Sequence, residues 1–294
     1  MNLGILLMIL VAVFQSVMSA IAKGIAPHIT TGVEVLSYYG IPLLVLLPGV
    51  FASKQEYKTN RLGFYFFRGV FASGSVFCFF YASKMISLSA AALLFNLTPV
   101  FIPLFARLFL GEVTSKAVLI GILISLIGVV IVIHPGVHTF MKPASLIGLG
   151  SGILMAMAQV MLRHLAKIKE PVKKIVFYIY FTSTLFSLLI ILIESVIRHR
   201  DLLSIHIGLH GTWVILLLLS LGLISLVAQH TLTKAFHYMS AAKLAPLLYI
   251  SVPVSSLIGW VIWRQALTLN LLLGGILILI GVLFITFEKN KELK

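Results

Sequence analysis

The chain has 294 residues, 60% of them hydrophobic and only 10% charged, with a mean hydropathy of +1.12 and a formal net charge of +14. Soluble domains carry roughly 25% charged residues, so this chain cannot cover itself with a hydrated surface, and lipid must be its main solvent. The positive charge would otherwise suggest nucleic acid, but the basic residues sit in short breaks between apolar runs, where topology signals belong. The lone cysteine, Cys78, lies inside an apolar run, which excludes a disulfide within the chain.

A membrane-crossing helix needs about 20 apolar residues. In chain order the sequence predicts ten such spans, at 3–22, 33–52, 64–83, 88–109, 117–134, 144–162, 174–193, 212–233, 241–262 and 270–287. The first has no basic segment before it and is long enough to cross, so it reads as a retained span rather than a signal peptide. Pro27, Pro135-Gly136, Pro143 and Pro171 punctuate the short connections. No alternating strands or aromatic girdles point to a barrel. With the N-terminus inside, sixteen of the 22 Lys and Arg fall in inside segments and six in outside ones. A bias of this size sets orientation, so the expectation is an inner-membrane, multi-pass protein with both termini in the cytoplasm.

The two halves repeat. At an offset of 153, Ala82 meets Ala235, Ala92 meets Ala245, Gly121 meets Gly274, and Ile127-Gly128-Val129 meets Ile280-Gly281-Val282. Nearer the start, an offset of 144 pairs Gln15 with Gln159 and Ala22-Lys23 with Ala166-Lys167. Five spans separate the members of each pair, and five is odd, so the second copy must lie inverted in the membrane. The expected fold is therefore all-α and integral to the membrane, with ten transmembrane helices as two inverted five-helix repeats, 1–137 and 138–294. Inverted repeats characterise secondary transporters, whose substrate sites lie near the midplane between the repeats.

Specific residues carry a resemblance as well. Arg68-Gly69 opens the third span; Asn96-Leu97-Thr98-Pro99 and Leu110-Gly111-Glu112 mark the fourth; Gly121 and Ile127 to Ile131 lie in the fifth. The second half repeats this in Ser240-Ala241-Ala242, Pro253, and Gly274 through Gly281-Val282. In these features the chain resembles the drug/metabolite transporter superfamily, and its EamA-like members in particular, over essentially its whole length. It departs from the pattern at Gln265, which matches Glu112, and at Tyr38-Tyr39, where a basic residue is often found. The resemblance implies a ten-helix secondary transporter of amino acids, nucleoside- or nucleotide-like or S-adenosylmethionine-like solutes. Export of drugs or toxic compounds by the same fold is the alternative, and a membrane-embedded enzyme a more distant one. It also implies a central cavity lined mainly by spans 1, 3, 4, 6, 8 and 9.

Polar groups inside spans are costly and so informative. Gln15 and Gln159 lie near the middle of matching spans; they either bind a polar solute or join packed helices. Glu34 opens the second span, as an acid facing a cationic solute or as a partner of the helix dipole. Pro99 and Pro103 in the fourth span, and Pro246 and Pro253 in the ninth, each free a backbone carbonyl. Asn96, Thr98, Tyr249 and Ser251 lie beside these kinks, and Asn96 matches Tyr249 at the offset of 153. With Tyr81 and His230, these residues form the expected substrate site: Gln15, Glu34, Tyr81, Asn96, Thr98, Gln159, His230, Tyr249 and Ser251. Arg68 reads as a snorkelling cation near the inner face, and Glu112 as a partner for nearby Arg107 or Lys116. Lys243 resembles His230 in being placed to attract an anion or simply to pack. The i, i+4 histidines His134/His138 and His206/His210 have no acid or cysteine nearby and are not read as metal ligands. Gly74-Ser75 and Gly150-Ser151-Gly152 fit close helix packing. No catalytic acid/base pair is placed inside the membrane and no GxxxxGK[ST] phosphate loop occurs. The expected partners are a small-molecule substrate and the lipid bilayer, with a homodimer permitted, no nucleic acid and no cofactor.

Overall fold

The structure is a computed structural model that describes residues 3–25, 28–29, 31–86, 88–133, 143–198, 211–264 and 269–286. The histidine pairs and Gln265 lie outside these residues. Among the described residues every regular element is helical: α1 (Leu3–Ile25), α2 (Thr31–Ala52), the short α3 (Lys54–Tyr57), α4 (Leu62–Met85), α5 (Leu88–Phe95), α6 (Thr98–Leu110) and α7 (Lys116–Ile133). They continue with α8 (Ala144–Lys167), α9 (Val172–Arg198), α10 (Gly211–Tyr238) and α11 (Ala241–Leu244), then a 3₁₀ segment (Ala245–Ile250), α12 (Ser251–Trp263) and α13 (Leu269–Thr286). Seven helical stretches are long and apolar enough to cross a membrane; α6, α7 and α13 are shorter apolar helices. Helices suit this solvent because each satisfies its own backbone polar groups where no water can do so.

The distribution of side chains is the reverse of a soluble protein's. Exposed positions carry Leu44, Phe51, Leu108, Phe109, Leu216 and Leu272, whereas serines and threonines are buried. The buried hydroxyls bond carbonyls of neighbouring helices: Ser75 to Ser151 (2.7 Å), Ser225 to Tyr38 (3.0 Å), Ser183 to Gly69 (3.4 Å) and Ser125 to Ile278 (3.4 Å). In membrane proteins such bonds are worth on average about 0.6 kcal/mol each. The apolar cores lie mainly between α1, α8 and the 3₁₀ segment, between α2, α4 and α9, and between α1 and α10.

Packing partners come in matched pairs. Helix α4 packs on α8 as α1 packs on α10; α4 meets α9 as α10 meets α2; α6 meets α8 as α12 meets α1. Helix boundaries recur too. α6 and α12 are 13 residues each and α7 and α13 are 18 each, all at an offset of 153. α6 ends on Gly111 with φ +65°, its N–H bonding Ala106 O; α12 ends on Arg264 with φ +54°, its N–H bonding Gly259 O. The same left-handed cap thus closes both helices, although one of them has no glycine to ease it.

The expected span 88–109 is divided: α5 stops at Phe95 and α6 begins at Thr98. Its counterpart is interrupted by the 3₁₀ segment. Close packing places glycine where a neighbouring backbone arrives. A Cβ at Gly152 would lie 2.7 Å from Leu94 O, and one at Gly148 would lie 2.8 Å from Leu94 Cδ1. Gly150, expected at this contact, faces open space; Gly148 takes its place one turn before Gly152.

Candidate functional site

The two interruptions are where polar chemistry enters the bundle. Pro99 sits in the first turn of α6 and has no N–H, so the chain above it must find other partners. Thr98 Oγ1 donates to Phe95 O (2.6 Å) and lies 3.2 Å from Gly152 O on α8. Asn96 Nδ2 donates to Ala92 O (2.9 Å). At the other interruption, Ser251 Oγ donates to Leu248 O (2.7 Å), and Ser251 O accepts from Ser16 Oγ of α1 (3.0 Å). Each broken helix is thus tied to the first helix of the opposite half, through Thr98 to α8 and through Ser251 to α1.

Two buried polar atoms, one on α8 and one in the 3₁₀ segment, are left without partners. Gln159 on α8 is 7% exposed and Tyr249 in the 3₁₀ segment is fully buried, and neither Gln159 Oε1 nor the Tyr249 hydroxyl makes a hydrogen bond. Leaving a buried polar group unmade costs about 1–3 kcal/mol. Such groups in a native fold call for an explanation, and contact with a polar solute is one.

The other residues expected at the site are distributed as follows. Gln15 is half-buried on α1, next in sequence to Ser16, whose hydroxyl reaches Ser251. Tyr81 lies elsewhere, in a groove of about 390 Å³ with Met85 of α4, Pro143, and Ala144 and Ile147 of α8. Glu34 is buried in the first turn of α2, and no basic group among the described residues forms a salt bridge with it. His230 is half-buried on α10, with Lys234 as its charged neighbour. Lys243 is buried at the interruption before the 3₁₀ segment.

Two expectations are corrected. Arg68 does not snorkel to a surface: it is 3% exposed, and its Nη1 donates to Ile175 O of α9 at 3.2 Å. A helix packed on both sides leaves a side chain no route to the interface. Glu112 pairs with neither Arg107 nor Lys116 but with Arg163 Nε, at 2.7 Å across the two halves. Its second oxygen accepts from Ala241 N (3.1 Å), while Arg163 Nη1 donates to Phe236 O (2.5 Å). The pair therefore gathers the ends of α6, α8 and α10 and the start of α11.

Around it lies a broader network at the same end of the bundle. Lys173 pairs with Glu56, Lys174 with Glu170 (3.3 Å) and Arg61 with Glu170 (3.9 Å). Lys167 Nζ bonds Leu110 O (3.2 Å), Lys174 Nζ bonds Lys58 O (3.0 Å), and His237 Nε2 lies 3.0 Å from Glu170 O. Among the described residues no group of three or more His, Cys, Asp or Glu could hold a metal.

Residues 2–134 and again residues 142–287 match the EamA-like transporter family. The chain belongs to that family. Its relatives include the pseudopaline exporter of Pseudomonas aeruginosa (strain UCBPP-PA14), 29% identical over 98% of this chain and 97% of that one. The riboflavin transporter of Vibrio cholerae is 25% identical over 87% of this chain and 83% of its own length. A solved crystal structure superimposes with a TM-score of 0.79 at 19% identity, covering 96% of this chain and 97% of that one, which shows the fold. The EamA-like chain is thus a multi-pass membrane protein of a transporter family rather than an enzyme.

Proposed function

We propose that this EamA-like chain is a secondary transporter with ten spans in two inverted repeats, 1–137 and 138–294, which carries a small organic metabolite across the inner membrane by alternating access. The observation that carries the reading is the pair of interrupted helices at matching positions, with the Tyr249 hydroxyl buried without a partner in one of them and Gln159 Oε1 likewise on α8, the helix that packs on the other. Irregular backbone at membrane depth is tolerated where it is buried in protein or lines a cavity, and discontinuous helices form transporter sites. The matched packing pairs, the equal lengths of α6 and α12 and the double family match support the repeat. Gln15, Asn96, Thr98, Gln159, Tyr249 and Ser251 then line the substrate path, with Glu34, Tyr81 and His230 further along it. The sixteen-to-six distribution of Lys and Arg supports cytoplasmic termini. The lipid bilayer and a small solute are its partners; the names of the relatives favour a polar organic metabolite, with export as the direction in the pseudopaline case.

The test is gradient-driven flux in proteoliposomes without ATP, on a solute panel that includes riboflavin. Flux of at least one solute in the wild type is expected, with a fall of about tenfold or more in Gln159→Ala and Tyr249→Phe, while thermal stability stays within about 3 °C. A strict requirement for ATP would reject the class. Native flux in both variants would reject the site.

A further inference from the structure

Arg68 stands on α4 six positions after Leu62, about 9 Å along the helix axis from its start. A guanidinium carries five N–H donors, and the hydrogen bond from Arg68 goes to the carbonyl of Ile175. No carboxylate among the described residues forms a salt bridge with it. Tyr39 of α2 and Tyr180 of α9 pack in one cluster with Ala72, one turn beyond Arg68 on α4, and with Val176, the residue after Ile175. Tyr39 and Tyr180 have ring centroids 6.3 Å apart, and the Tyr180 hydroxyl lies 3.3 Å from Ser225 Oγ. One turn beyond Tyr180, Thr184 Oγ1 is buried without a partner, its methyl facing Gly40 beside Tyr39.

A buried cation with no counter-charge costs several kcal/mol. A single carbonyl offsets part of that and leaves most of the guanidinium fork unused. A planar carboxylate would complete it, since it accepts two parallel N–H bonds and brings one negative charge to one positive. A dianionic phosphate would leave one charge uncompensated in the same place. We infer that Arg68, held at Ile175 beside Tyr39 and Tyr180 between α2, α4 and α9, is a binding site for the carboxylate group of an organic solute. This site deepens the transporter reading and rests on it for its role in transport. It lies just inside the Glu170–Lys174 pair, since Ile175, which holds Arg68, follows Lys174 directly.

The experiment is thermal unfolding of the purified full-length protein with paired probes: benzoate against benzamide, nicotinate against nicotinamide, and phenyl phosphate as a third arm. At saturating concentration the acids are expected to raise Tm by about 3 °C or more, and the amides by less than about 1 °C. Arg68→Gln should abolish the response to the acids. Should that variant fail to fold, Arg68→Lys takes its place, keeping the charge but losing the fork, and should retain at most half of the shift. Equal stabilisation by acids and amides, a response to phenyl phosphate alone, no response to either acid, or an undiminished shift in the Arg68 variant overturns the carboxylate site. Gradient-driven flux of a solute by Arg68→Gln at the wild-type rate removes this site and leaves the transporter reading standing. Acid binding that depends on Arg68, with no flux of any solute in the wild type, does the reverse.

Discussion

Glu112 joins elements far apart in sequence through single atoms. One oxygen takes Arg163 and the other takes the backbone N–H that opens α11, so the carboxylate serves as ion-pair partner and helix cap together. Its side chain is 9% accessible and that of Arg163 16%, so solvent screens the pair only in part. Removing one partner of a buried pair is strongly destabilising because the other is left uncompensated. Glu112→Gln should therefore lower stability by about 2–3 kcal/mol, read from thermal or denaturant unfolding in detergent. A double-mutant cycle with Arg163→Gln should give a coupling above about 1 kcal/mol; simple additivity would contradict the contact. The sequence made Glu112 legible as an ion-pairing residue at a helix end, but not its partner. Arg107 and Lys116 were nearest along the chain, and nothing in a linear pattern reveals that α8 brings Arg163 alongside. Arg68 departs from its expected place for the same reason. Whether a cation near a helix end reaches water depends on what packs against the helix there, and α9 closes that route.

At the scale of elements, the crossing of α7 and α13 shows why glycine recurs at the offset of 153. A Cβ at Gly128 would lie 2.5 Å from Gly274 O, and one at Gly274 would lie 2.5 Å from Gly128 O; Gly281 meets Gly121 O at the same distance. Since Gly274 and Gly281 match Gly121 and Gly128 at the offset of 153, the contact is reciprocal. Without a hydrophobic force between helices in lipid, close backbone approach carries much of the association. Gly128→Leu should thus separate α7 from α13 and lower Tm by at least about 5 °C, and Gly274→Leu should do the same. Gly150→Leu, whose Cβ meets nothing within 4 Å, should change Tm by less than about 2 °C. A comparable loss at all three positions would mean that bulk, not this crossing, decides stability. Seven of the ten expected spans coincide with helical stretches long and apolar enough to cross a membrane, because hydropathy reports burial in lipid directly. The break at Asn96-Leu97 and the 3₁₀ segment at 245–250 were legible only as proline kinks. A proline announces a missing donor, but whether the helix bends or stops depends on what lies opposite, here Gly152 of α8 and Ser16 of α1.

For the molecule as a whole, the ends differ. The end carrying α3 and the starts of α9 and α11 is held by Lys173–Glu56, Lys174–Glu170, Arg61–Glu170 and Arg163–Glu112, most of which join the first half to the second. At the other end, the groove beside Tyr81, Met85 and Pro143 separates α4 from the start of α8. If substrate passes by rocking one half against the other, the ionic end must part in each cycle. The exposed Lys173–Glu56 pair suits that role, since such a pair is worth only about 0–1 kcal/mol and re-forms easily, whereas the buried Arg163–Glu112 pair resists the opening. Lys173 and Glu56 are each about half-exposed and lie on α9 and α3, in different halves. A covalent link there should hold the end shut with little other disturbance. In a Cys78→Ala background, Glu56→Cys with Lys173→Cys should form a disulfide under mild oxidation. The oxidised protein should lose at least about nine-tenths of its flux, and reduction should restore it. Each single-cysteine variant should transport normally in both conditions, because losing one exposed pair removes little stability. Undiminished flux in the fully cross-linked protein would mean that these two segments do not separate during transport, and the rocking of the halves would have to be abandoned.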